Sequence, residues 1–196
     1  MITIVKLGGG VLPHAGHFDN ALAVIGEVAR DRPLLVVPGG GPFADAVRAI
    51  DRQRDLHADV AHWMAVLAMD QCAHLVAGRL AGAVVVSASV LTVRYEIEAA
   101  LAAGRVPVLA PSNWLRDVDP LPHSWDVTSD SVAAWVSGEL GASRLVLVKP
   151  PGTRPSDTAD GAVVDAYFPR ALPSHVASVI VAADRLDALR SALNDS

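Results

Sequence analysis

The apolar runs in this chain do not alternate. Leu34-Leu35-Val36-Val37 and Leu145-Val146-Leu147-Val148 carry no polar break. A strand with one wet face repeats apolar and polar residues with a period of two. An unbroken run is covered on both faces, as in a parallel sheet with helices above and below it. Longer alanine-rich stretches with helical spacing separate the runs. The pattern predicts an α/β chain: a three-layer αβα sandwich with a mainly parallel central sheet.

Strands are expected at Ile2 to Leu7, Leu34 to Val37, Ala83 to Val86, Val106 to Ala110, Leu145 to Lys149 and Val179 to Ala183. Helices are expected at His17 to Arg30, Phe43 to Arg54, Asp59 to Leu80, Val93 to Ala103, Ser129 to Leu140 and Arg185 to Leu193. Gly104 and Gly141 fit helix stops, and Pro42 fits a first turn. Pro150 to Gly161 reads as a loop by composition. Two readings of it stay open: a lid or part of a nucleotide site, and a tolerated surface insertion.

Composition narrows the function classes. With 196 residues, 52% hydrophobic and 19% charged, the chain can bury a full core as a single domain. Its net charge is −5 and no Lys/Arg cluster is present, so no nucleic-acid partner is expected. Cys72 is the single cysteine, which favours a reducing compartment. The start Met1 to Lys6 lacks the pattern of a signal peptide, and no charge-free apolar stretch reaches membrane-spanning length. The expectation is a cytoplasmic protein with no membrane partner. Seven histidines are present, and His14 and His17 are three apart, but none sits in an HExxH or Cys/His pattern. No metal ligand is assigned.

Ligands of such sheets bind beyond the carboxyl ends of the strands, and four features lie there. Lys6-Leu7-Gly8-Gly9-Gly10 follows the first strand. Its glycines allow close backbone approach, and successive N–H groups can face phosphate oxygens. A tight turn with a solvated lysine explains it equally well alone. Pro38-Gly39-Gly40-Gly41-Pro42 ends the second strand before a helix, a ready anion site. Two triple-glycine loops on sequential strands favour a functional reading, with Gly8, Gly9, Gly10, Gly40 and Gly41 as phosphate-binding candidates. In Asp126 to Ala134, Thr128 or Ser129 fits a helix cap and Asp130 the first turn, where the dipole favours a carboxylate. A cap alone accounts for that segment. Asp130 as the group that orients a catalytic lysine is the functional reading. Lys149 ends the fifth strand, as a solvent-facing lysine or as a charge for phosphates. Lysines, glycine loops and an aspartate are the set that phosphoryl transfer needs, since it relies on positioning and electrostatics.

In this order, Val5-Lys6-Leu7-Gly8-Gly9, Val37-Pro38-Gly39-Gly40-Gly41, Thr128 to Ala134 and Leu147-Val148-Lys149 resemble the amino acid kinase superfamily over roughly residues 2 to 183. The resemblance implies an ATP- and Mg2+-dependent kinase of a small acceptor. Its acceptor half would cover about 1–115 and its nucleotide half about 116–196. It places Lys6 on the transferring phosphoryl, Gly8 and Gly9 as N–H donors, Gly39, Gly40 and Gly41 on the acceptor side, and Asp130 between the lysines. Lys149 and Gly152 fall to the nucleotide. Gly10 stands where many members have serine, and Pro150-Pro151-Gly152 where many have Asp-Val-Asp-Gly.

The segments His62 to Gln71, Leu121 to Asp126 and Val164 to Pro169 are most similar to a short archaeal and methylotroph branch. Kinases of that branch convert a furan phosphate to its diphosphate for methanofuran or methylofuran synthesis. That likeness suggests Trp63, Trp114 or Trp125 as a ring stack and His123 and Arg48 as contacts to an acceptor phosphate. It also suggests Asp70 for an amine. Each is equally an ordinary core or surface residue. A non-catalytic binder on the same fold is the rival class, and the joint presence of Lys6, Asp130 and Lys149 speaks for catalysis. A Rossmann dehydrogenase would need a fuller glycine fingerprint. The Asp59 to Leu80 helix is apolar almost all round, which predicts burial against a second copy, hence a homo-oligomer.

Overall fold

Six strands form the middle layer: β1 (Thr3–Leu7), β2 (Leu34–Pro38), β3 (Ala83–Val86), β4 (Val106–Leu109), β5 (Arg144–Lys149) and β6 (Ala177–Ala182). The computed structural model describes residues 2–154 and 163–195. The strands lie in the order β3-β4-β2-β1-β5-β6, and every pairing is parallel. Helices α1 (Ala15–Val28), α2 (Gly41–Arg54), α3 (Ala58–Arg79), α4 (Val93–Ala102), α5 (Ser112–Val118), α6 (Ser129–Glu139), α7 (Phe168–Ala171) and α8 (Leu186–Asn194) surround the sheet.

The unbroken apolar runs are explained by two cores. Val5, Leu7, Leu34, Val36, Val146 and Val148 point to one face, against α1 and α8. Ile4, Leu35, Val37, Leu145 and Leu147 point to the other, against α4, α5 and α6. Each central strand therefore buries both sets of side chains, and Lys6 and Lys149 are the charged residues that β1 and β5 bury with them.

The expected strands and long helices form, with ends displaced by a few residues as frayed termini allow. Three short elements lacked a sequence signal: a 3-10 turn at Gly9–Val11, α5 and α7. Each is a turn or two long, too short to show a period. Most of the loop expected at Pro150 to Gly161 lies outside the described residues. The α3 helix buries Ala61, Val66, Met69, Cys72 and Val76, yet exposes Val60, Leu67 and Leu75. No described helix is long and apolar enough to cross a membrane.

The chain leaves β1 towards β2 on one side, and β5 leads to β6 on the other. The β1/β5 seam is thus the topological switch point, where the diverging connections open a crevice beyond the carboxyl ends. Lys6 and Lys149 sit at that end of those two strands, with Leu7 paired to Val148.

Leu147 is fully buried in the central layer. Leu147→Ala is expected to lower unfolding free energy by about 2–5 kcal/mol, read from urea denaturation. A loss near zero would show that the second core is loosely packed.

Candidate active site

The two strand-end lysines converge on one carboxylate. Lys6 Nζ lies 2.7 Å from Asp130 Oδ1 and Lys149 Nζ 2.6 Å from Oδ2. Lys6, Asp130 and Lys149 are 4%, 4% and 7% exposed. Lys149 donates an aligned hydrogen bond. Among the described residues no aligned donor reaches Asp130 Oδ1, so Lys6 is held there by charge. Burial alone would raise the Asp130 pKa, but the Lys6 and Lys149 ammonium groups outweigh it and hold the carboxylate below its usual range. Burial, then the Lys6 charge, push Lys149 below the ordinary lysine value, against the pull of Asp130.

Asp130 is in the first turn of α6, so the entry to α6 sets its place. Thr128 occupies the expected cap position, yet its side chain makes no capping bond. Its hydroxyl instead donates to Asp165 at 2.8 Å. Asp165 is the real cap. It accepts from the Thr128 and Ser131 N–H groups at 2.9 and 3.0 Å, from the Ser131 hydroxyl, and from the Phe168 N–H at 2.9 Å. Sequence reasoning missed it because it stands 35 residues after Asp130 (165 − 130), and the helix that starts near it, α7, is a single turn with no sequence signal.

The glycine loops interlock. A Cβ on Gly9 would lie 2.3 Å from the Gly41 nitrogen, so no side chain fits there. Gly41 has φ +51, the left-handed region that glycine takes freely. The Gly8 N–H, a candidate phosphate donor, is committed to the Val148 carbonyl at 2.8 Å, and the Gly39 N–H to Leu7 at 2.8 Å. The N–H groups of Gly9, Gly10 and Gly40 have no acceptor among the described residues. These can take phosphate oxygens.

Beside the loops lies a cavity of about 410 Å³, with Gly9, Gly10, Gly40, Arg48, His62 and Trp125 in its wall. Arg48 stacks over the Trp125 ring at 4.8 Å, and the Trp125 indole donates to Asp51 at 2.6 Å. Other candidates are elsewhere. Trp114 is 2% exposed and packs on Trp135 in the core. Trp63 is outside the cavity wall, under the Arg116 guanidinium at 4.9 Å. Asp70 accepts the Ser112 N–H at 3.1 Å, which anchors the start of α5. His123 is also outside the wall, with both ring nitrogens on carboxylates: 2.6 Å from Asp59 and 2.8 Å from Asp119. His62 stands in its place in the wall, a residue to which the sequence assigned no site role. Burial pushes the His62 imidazole down to about 4. The Gly152 N–H donates to Asp184 at 3.2 Å.

The pattern of the amino acid kinase family matches residues 1–150. This chain belongs to that family. Over 144 residues it is 28% identical to [5-(aminomethyl)furan-3-yl]methyl phosphate kinase of Methanocaldococcus jannaschii, covering 74% of this chain and 63% of that one. Over 93 residues it is 34% identical to acetylglutamate kinase of Chloroflexus aggregans, covering 47% and 34%. The chain thus matches less than two thirds of the length of either relative. Two solved structures share the fold at 16% identity: UMP kinase of Ureaplasma parvum, TM-score 0.69 over 94% of this chain and 90% of that one, and uridylate kinase of Archaeoglobus fulgidus, 0.68 over 97% and 96%. In this amino acid kinase family member, the family pattern ends where β5 delivers Lys149.

Asp165→Ala removes the acceptor from three backbone donors. Each buried donor left unpaired costs about 1–3 kcal/mol, so the variant is expected to lose at least about 2 kcal/mol of stability. A urea midpoint unchanged from the parent would contradict the capping role.

Proposed function

We propose that this chain is an ATP-dependent kinase that moves the γ-phosphoryl group to a small acceptor seated in the 410 Å³ cavity. One observation carries the reading: two buried ammonium groups share one carboxylate at the switch-point crevice, beside backbone N–H groups without acceptors. A buried set with two cations and one anion is unbalanced until an anion joins it, and a phosphoryl group supplies that charge.

The acceptor oxygen attacks the γ-phosphorus, and the bond to the β–γ bridging oxygen breaks. Lys6 balances charge on the transferring group, and Lys149 balances it on the nucleotide side. Asp130 fixes both ammonium groups, and Gly9, Gly10 and Gly40 donate to phosphate oxygens. Each oxygen of the Asp130 carboxylate faces a lysine ammonium, a donor set that suits Mg2+ carried on the phosphate oxygens. Bound there, Mg2+ would neutralise phosphate charge.

For the acceptor we propose a phosphorylated, flat-ringed alcohol of the aminomethylfuran class. Two features support this: the identity to the M. jannaschii kinase, and a cavity wall with the Trp125 ring and Arg48 for ring and phosphate, and Asp51 and Asp55 for an amine. We place the reaction in the cytoplasm, in keeping with the single cysteine. We also propose a homo-oligomer, formed through the Val60, Leu67 and Leu75 stripe of α3. Light scattering at micromolar protein should show at least a dimer, and a monomer would reject that surface.

With ATP and Mg2+, turnover is expected on aminomethyl-furanmethanol phosphate and not on UMP, isopentenyl phosphate, acetylglutamate, aspartate or carbamate. Turnover on another acceptor would retain the kinase and discard the furan class. No turnover on any, with ATP bound, would favour a non-catalytic binder. Since Lys149 is pushed down, kcat/KM should fall on the alkaline side below the ordinary lysine range of about 10.4. A flat profile to that pH would contradict a charged Lys149 in the mechanism.

A further inference from the structure

Outside the phosphoryl site, a further group of possible metal ligands converges among the described residues. His62 on α3 meets Asp119 and His123, which follow α5, and one ligand atom from each lies within 4.8 Å of the others. No motif announced it, because the histidines stand 61 residues apart (123 − 62). We propose that His62, Asp119 and His123 form a binding site for a transition-metal dication, Zn2+ foremost, beside the acceptor cavity.

The donor set is two imidazoles and one carboxylate, which suits Zn2+, Co2+ or Ni2+ and is poor for Mg2+. The site is therefore distinct from any phosphate-held magnesium. His123 is already arranged as a ligand. Its Nε2 lies 2.8 Å from Asp119 Oδ1, and its Nδ1 lies 2.6 Å from Asp59 Oδ1. With Nδ1–H donated to Asp59, the Nε2 lone pair is left for the metal, the carboxylate–histidine–metal arrangement of many sites. Tetrahedral Zn2+ with bonds of about 2.0–2.1 Å sets its ligand atoms about 3.3 Å apart. The Nε2 to Oδ1 separation thus needs to open by only about 0.5 Å. His62 must do more. Its ring stacks on His123 at 4.0 Å and 17°, so it has to turn about Cβ–Cγ to aim a nitrogen at the shared point. His62 also lines the cavity. That leaves the fourth position for water or for an oxygen of a molecule in the cavity. The ion would tie α3 to the segment behind α5.

The alternative is a plain ionic contact, with a protonated His123 between two carboxylates. Metal binding separates the two without any assay of activity. Metal-stripped protein is titrated with CoCl2, following visible absorption, and with ZnCl2 by equilibrium dialysis. The expected result is a single saturable equivalent at micromolar free metal, with the intense visible bands of tetrahedral Co2+ that Zn2+ bleaches, and a higher melting temperature. His62→Gln and His123→Ala should each weaken binding at least tenfold, and Asp59→Asn by about tenfold through its support of His123. A His14→Ala/His17→Ala double variant should bind as the parent does. Circular dichroism of each variant separates lost binding from lost fold, and His62→Gln keeps the test open if His123→Ala unfolds. No saturable binding, or binding lost in the His14/His17 variant and kept in His62→Gln, would overturn the site.

Discussion

Two cations facing one anion in the protein interior are the constraint on which the rest of this structure depends. Burying a charge costs several kcal/mol even after relaxation. Lys6, Asp130 and Lys149 are nearly inaccessible, so each must find its partners within the fold. The parallel pairing of β1 with β5 sets the two lysines side by side. The α6 N-terminus brings Asp130 between them, and Asp165 fixes that N-terminus. Strand register, helix cap and interlocked glycine loops can all be read as the scaffold that keeps an excess positive charge dry and aimed at one place. The arrangement is poor as a source of stability, because well-packed apolar residues do as well or better than buried ion pairs. It makes sense as a receptor for phosphate charge.

The sheet itself was open to sequence reading, since a strand buried on both faces has to be written almost wholly in apolar residues. Lys6, Asp130 and Lys149 were also legible, because each stands at or next to the end of an element and breaks an apolar context. The parts that escaped are those made by distant contact. Asp165 lies in a segment with no periodicity, and its value is apparent only against the α6 backbone. Nothing local marks His62 as the partner of His123. Trp114, Trp63 and Trp125 look alike as letters. Only packing separates the core pair Trp114–Trp135 and the Arg116-covered Trp63 from the cavity ring of Trp125. Gly8 shows the reverse error. Its motif suggests a phosphate donor, but its N–H completes the β1/β5 seam.

In the proposed reaction, the two halves of the site are built from different materials. The lysine cluster, proposed as the nucleotide end, rests on the sheet, in strand ends that cannot move without breaking the core. The cavity proposed for the acceptor is walled by α2, α3 and the Ser124 to Ser129 segment, whose surface residues can change without disturbing the sheet. Such a division lets one fold serve many acceptors. It fits a chain whose solved fold neighbours share only 16% identity.

The central claim is that the buried excess cation serves chemistry rather than folding. Lys6→Met tests it most directly, with turnover and urea stability measured on the same preparation. Removing Lys6 leaves Asp130 and Lys149 as a balanced pair, and methionine fills the same space. The account predicts turnover lower by orders of magnitude with stability unchanged or raised. Turnover near the parent value, with stability lost, would make the cluster a structural ion network and contradict the account.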